Sequence, residues 1–82
     1  MYVLYILYSD TRDKYYVGFT GDELEERVRK HNSNHKGFTG NTADWRVVYT
    51  ENFIEKKEAL KREAEIKSWK SRKRIEQLIG LV

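Results

Sequence analysis

The chain has 82 residues, no cysteine, six tyrosines and a formal charge of +3, with a pI near 9.2. That length suits one small domain and leaves no room for a second. The missing thiols exclude a disulfide framework, a thiolate metal site and a cysteine nucleophile. The modest positive charge is compatible with a polyanionic partner but speaks to association rather than to fold.

Tyr2 to Tyr8 is a run of aromatic and β-branched or aliphatic residues without polar alternation. It reads as a strand covered on both faces, and so as the central strand of a sheet. It is far too short to span a bilayer, and no charged leader with a cleavage site precedes it. The expectation is a soluble, cytoplasmic protein. Ser9 to Lys14 is turn chemistry of a length that suits a hairpin, returning as a second strand over Tyr15 to Phe19. The hairpin puts Tyr5 and Tyr16 on neighbouring strands, but whether they share a face depends on a register that the residues alone do not fix.

After Gly21 the pattern predicts a short helix opening on Asp22, whose carboxylate can cap the first turn, with Glu25 completing a capping box. At about 100° per residue, Leu24 and Val28 fall on the buried stripe, His31 beside Leu24 and Arg27 at its edge. Arg27 and His31 therefore lean together toward the surface on which the helix packs. A polar, glycine-punctuated connection from Asn32 to Asp44 follows, either a binding loop or a plain surface loop. Trp45 to Tyr49 predicts a third strand, with Trp45, Val47 and Tyr49 alternating against Arg46 and Val48.

Glu55 to Lys70 is a strong helix former, free of glycine and proline. On its wheel Ala59 and Ile66 mark one edge of the apolar stripe, Leu60 and Ala64 the other, and Glu63 falls between them. A carboxylate in a buried sector is costly unless it is paired or holds a cation. Two readings stand open: an ion pair with Lys67 or Arg27, or a metal ligand or acid/base group. The run Lys67 to Arg74 concentrates positive charge around Trp69, which is either a solvated face or a binding surface. Ser71 can cap a last short helix whose Ile75, Leu78 and Ile79 return to the core before Gly80. No repeat, low-complexity segment or linker divides the chain.

Hydrolysis of a phosphodiester needs a group that activates water, a cation that neutralises the phosphate and a carboxylate that can hold a divalent metal. Tyr16, Arg27 and Glu63 are the right residue types. Nothing matches a phosphate-binding glycine loop, a two-histidine zinc site or a serine–histidine arrangement.

At these residues the chain resembles the GIY-YIG nuclease superfamily, in particular its small single-domain bacterial members, over nearly its whole length (1–82). Val3-Leu4-Tyr5 stands at the first tripeptide and Tyr16-Val17-Gly18 at the second. Arg27 takes the place of the helix arginine, His31 of the histidine or tyrosine one turn later, and Glu63 of the metal-binding glutamate. The tripeptides alone are weak signals; their order and spacing together with Arg27, His31 and Glu63 are strong.

The resemblance implies an α+β fold, a small antiparallel three-stranded sheet flanked by helices, that hydrolyses DNA with one Mg2+ or Mn2+ ion and acts on branched or damaged DNA in repair. Tyr16 would be the general base or water-orienting group with Tyr5 supporting it. Arg27 would stabilise the phosphate, His31 would assist, and Glu63 would hold the metal. Lys36, Lys67, Lys70, Arg72, Lys73 and Arg74 are the candidate DNA-binding cations, and the oligomeric state, monomer or weak homodimer, is left open.

The chain departs from the family pattern in lacking the first tripeptide's glycine. It also has Phe19 where some relatives carry lysine, and Ile75 in the region where many carry asparagine. These departures keep two alternatives in view, a non-catalytic nucleic-acid-binding module on the same fold and a protein-interaction domain that uses Trp69 and the long loop.

Overall fold

The apolar run at the N-terminus forms β1 (Tyr2–Ser9), the middle strand of an antiparallel sheet whose order is β2-β1-β3. The computed structural model describes residues 1–33 and 43–80. In chain order the remaining elements are β2 (Lys14–Thr20), α1 (Leu24–His31), β3 (Trp45–Phe53), α2 (Lys56–Ser68) and α3 (Arg72–Ile79). This is the α+β architecture expected, a three-stranded sheet with helices packed on it.

The central strand has no polar alternation because both of its faces are covered. Leu4 and Ile6 point one way, into a cluster with Val17 and Ile66 that Ile75, Leu78 and Ile79 close from α3. Tyr5 and Leu7 point the other way and meet Trp45, Leu24 and Val28, so α1 covers this face. Leu4, Ile6 and Leu7 are fully buried, which stabilises the fold by roughly 1.5–3 kcal/mol for each such side chain.

The β1–β2 turn holds together through backbone and side-chain hydrogen bonds. Asp13 takes a left-handed conformation at φ 53°, which aspartate tolerates better than most residues, and its N–H donates to the Ser9 carbonyl at 2.7 Å. The Asp44 carboxylate accepts from the buried Ser9 hydroxyl at 2.6 Å and from the Thr11 N–H at 2.8 Å, pinning the turn to the approach of β3. Arg72 bonds to the Asp13 carboxylate at 2.6 Å and to the Glu76 carboxylate at 3.1 Å, fastening α3 to the same hairpin. The Asn32 side chain closes α1 against β3: its amide donates to the Trp45 carbonyl at 3.0 Å and its oxygen accepts from the Trp45 N–H at 2.8 Å.

Three sequence expectations require correction. Asp22 does not cap α1. Its N–H is taken by the Thr20 hydroxyl at 3.0 Å, which carries the chain on extended, so Glu23 occupies the cap position without a side-chain cap bond. The simple alternation in β3 fails because a register irregularity between Ile6 and Leu7 leaves Val48 as an extra residue. Beyond it Tyr49 and Phe53 turn to the Leu4–Ile6 side, while Trp45 stays on the Tyr5–Leu7 side; such bulges re-aim side chains in this way. On α2 the buried residues are Ala59 and Ile66, whereas Leu60 is 44% exposed and Ala64 is also at the surface. The apolar stripe is therefore narrower than predicted, and Glu63 sits on its flank rather than at its centre.

Candidate active site

The strand register decides what the two tyrosines do. Tyr5 pairs across the sheet with Gly18, and Tyr16 pairs with Leu7, so Tyr5 and Tyr16 are diagonal neighbours on one face. Their ring centroids are 6.5 Å apart. Gly18 is the residue that makes room. A Cβ there would lie 2.8 Å from the Tyr5 hydroxyl oxygen and 3.0 Å from a Tyr16 ring carbon.

His31 reaches the same spot from the last turn of α1. Its Nε2 lies 2.9 Å from the Tyr5 hydroxyl, and its ring centroid is 4.7 Å from that of Tyr16. Burial pushes the Tyr5 hydroxyl above its ordinary pKa of 10.0, and the nearby Arg27 guanidinium pulls the other way without overcoming it. Tyr5 is therefore a neutral phenol at physiological pH, able to donate to an unprotonated Nε2.

Glu63 and Lys67, one turn apart, come from α2. The Glu63 side chain is 18% exposed and its Oε2 is 3.3 Å from the Lys67 ammonium. The same ammonium stands 5.8 Å from the Tyr16 ring centroid, at the outer limit of a cation–π contact. Tyr5, Tyr16, Gly18, Arg27 and Glu63 line one cavity of about 350 Å³. Of the sequence-predicted catalytic residues, four thus meet in a single space, and His31 joins them through Tyr5. The ion-pair reading of Glu63 with Lys67 and its position in this cavity hold together.

Phe19 also lines the cavity, whereas Ile75 packs against the core and not into it. Lys56, in the first turn of α2, lines the cavity as well. It was not among the residues expected from the sequence; its seven-residue spacing from Glu63 within the predicted helix was the available signal.

The predicted DNA-binding cations do not form one uniform surface. Lys67 is paired with Glu63, and Arg72 is committed to Asp13 and Glu76. Arg74 lies over the Trp69 ring at 4.6 Å, with Arg62 at 5.8 Å from the same ring. Lys70 and Lys73 are exposed. Lys36 lies outside the described residues.

Among the described residues no group of three or more histidine, cysteine or carboxylate side chains converges on a point. A zinc-type cage is therefore not formed by them. The donor set around Glu63, one carboxylate in an open cavity with phenol oxygens nearby, fits a hard divalent ion that takes its remaining oxygens from water and a phosphate.

Two adjacent strands thus bring Tyr5 and Tyr16, the helix that follows brings Arg27 and a later helix brings Glu63 to one cavity. The family model described as the GIY-YIG catalytic domain matches residues 1–76, and the chain belongs to this family of nucleases. The solution structure of the UPF0213 protein BH0048 from Bacillus halodurans is similar to it at 30% sequence identity with a TM-score of 0.59. The match covers 99% of this chain and 85% of that one. No curated protein matches. No helix among the described residues is long and apolar enough to cross a membrane.

Proposed function

We propose that this protein is a metal-dependent DNA endonuclease that hydrolyses phosphodiester bonds, with Mg2+ or Mn2+ held by Glu63. The observation that carries the reading is the convergence of Tyr5, Tyr16, Arg27 and Glu63 on one cavity of about 350 Å³. Arg27, exposed at the cavity wall, supplies the planar guanidinium that pairs with a phosphate through two donors. Tyr16 orients the attacking water or, in its phenolate form, takes the water's proton and becomes the neutral phenol. Tyr5, neutral and bonded to His31, fixes the ring beside it, and His31 braces Tyr16 from α1. When bound, the divalent ion supplies Lewis-acid stabilisation of the charge that develops on the phosphate and the leaving oxygen. Lys67 keeps the Glu63 carboxylate ordered and neutralised until then. Flaps, junctions and damaged duplexes of the kind processed in repair are the substrates proposed, because one small cavity engages one strand at a time.

The test is cleavage of labelled linear and branched DNA with Mg2+, Mn2+ or chelator, comparing wild type with Glu63→Gln. Metal-dependent cutting reduced at least 100-fold in the variant supports the reading, in line with the roughly 10²–10³-fold cost of removing one transition-state contact. Cutting that ignores both chelator and the substitution overturns it. One observation favours the alternative of a non-catalytic nucleic-acid-binding module: Glu63 already has Lys67 as its counter-ion. That alternative predicts salt-sensitive DNA binding with no cutting under any metal condition.

A further inference from the structure

Helix α2 starts at a position locked by its own first turn. Glu55 is the N-cap; its backbone carbonyl accepts from the Glu58 N–H at 3.2 Å, and the Glu58 carboxylate accepts from the Glu55 N–H at 3.2 Å. Lys56 is thereby fixed as the first helical residue. Glu63, seven residues on, lies two turns further along nearly the same face, about 20° away at 100° per residue. Both line the cavity.

The neighbouring lysines are engaged elsewhere. Lys57 is drawn back to the Glu55 carboxylate at 3.6 Å, and Lys67 is held by Glu63 at 3.3 Å. Lys56 has no ion pair or hydrogen bond among the described residues. A hydrated ammonium at a cavity wall costs the fold nothing, and it leaves a positive charge available to an incoming anion. Arg27 brings a second cation to this space from a different element, α1.

We propose that Lys56 is a substrate-contacting cation of this site, binding a DNA backbone phosphate so that the strand is held from α2 through Lys56 and from α1 through Arg27. The inference rests on the nuclease reading for its substrate. Two cations on separate elements fix the direction in which a strand crosses the cavity, which a single guanidinium cannot do. Lys56 takes no part in bond making or breaking; it positions the phosphodiester against Tyr16 and Glu63.

The experiment measures binding of the full chain to fluorescent single-stranded and duplex DNA in chelator over a salt series. It compares wild type with Lys56→Ala, Lys56→Arg and Lys57→Ala, each checked for folding by circular dichroism. Releasing one phosphate contact lowers the slope of log K against log salt by about 0.7–0.9. Lys56→Ala is expected to show that drop with several-fold weaker binding at low salt, Lys56→Arg to restore both, and Lys57→Ala to leave them unchanged. In cleavage, Lys56→Ala raises KM while kcat stays near wild type. A wild-type slope in Lys56→Ala, or an equal effect from Lys57→Ala, overturns the assignment. If wild type binds DNA but never cuts it, the endonuclease reading fails while the slopes still decide whether Lys56 touches phosphate. If it binds no DNA at low salt, both fail.

Discussion

Substituting Gly18 by alanine tests the geometry of the site through stability alone. A glycine-to-alanine change in a strand, at a backbone conformation that alanine can adopt, stabilises by about 0.4–1 kcal/mol because the unfolded chain loses freedom. At Gly18 the added Cβ meets the Tyr5 hydroxyl oxygen at 2.8 Å, its ring carbon at 2.9 Å and a Tyr16 carbon at 3.0 Å. Tyr5 cannot retreat, since it is 1% exposed and its hydroxyl is tied to His31 at 2.9 Å. Forcing such a contact costs about 1–3 kcal/mol, which exceeds the entropic gain. The net expectation is destabilisation by roughly 1–2 kcal/mol, or a fall in Tm of about 5–15 °C for a domain of this size.

Gly21→Ala provides the internal comparison. Its Cβ would meet a Tyr2 ring carbon at 2.8 Å, but Tyr2 is only partly buried and stands at the start of β1, where its ring can swing aside. Gly21→Ala should therefore melt within a few degrees of wild type. Thermal unfolding by circular dichroism measures both. Gly18→Ala as stable as wild type or more so would refute the packing of Tyr5 and Tyr16 across Gly18, and with it the shared face on which the site is built.

Other consequences are separable. Asn32→Ala removes both side-chain bonds to the Trp45 backbone and leaves a donor and an acceptor beside a buried tryptophan. It should cost about 1–3 kcal/mol, read as a lower urea midpoint with an unchanged m value. Arg72, and secondarily the Tyr8 hydroxyl, lower the Asp13 carboxyl from its ordinary 3.8 to about 2. Because the folded value lies below the unfolded one, this contribution is complete above about pH 4 and disappears as the pH falls through 2. The difference in Tm between wild type and Asp13→Asn should accordingly shrink between pH 5 and pH 2; a constant difference would contradict the ion pair. Tyr5→Phe, which removes the hydroxyl facing His31 while keeping the ring, should slow cleavage less than Tyr16→Phe does, since Tyr5 is assigned a positioning role. Equal losses in single-turnover rates would dissolve that distinction.

The central strand was readable because unbroken apolar character over Tyr2 to Tyr8 fits only a strand covered on both sides. Ser71 and Gly80 bound the last helix as composition predicts, with the Ser71 hydroxyl accepting from the Arg74 N–H and Gly80 in a left-handed conformation at φ 89°. Register was not readable. The diagonal placing of Tyr5 and Tyr16 depends on the pairing of Tyr5 with Gly18, and the reversal of Tyr49 depends on one extra residue at Val48; neither leaves a mark in composition. The wheel of α2 gave Glu63 as unusual but misplaced the stripe, because Leu60 resembles a core residue as strongly as Ile66 does. Lys56 drew no notice for a related reason: its seven-residue spacing from Glu63 marks a shared face, but an exposed lysine on a charged helix gives no cue that the face lines a cavity.

The most direct measurement is a time course of labelled DNA cleavage by the purified protein in Mg2+, in Mn2+ and in chelator, with Glu63→Ala and Tyr16→Phe alongside and their folding verified. The account predicts metal-dependent cutting by wild type that is abolished in Glu63→Ala and strongly reduced in Tyr16→Phe. Cutting that survives both substitutions, or no cutting by wild type on any linear or branched substrate, would contradict it.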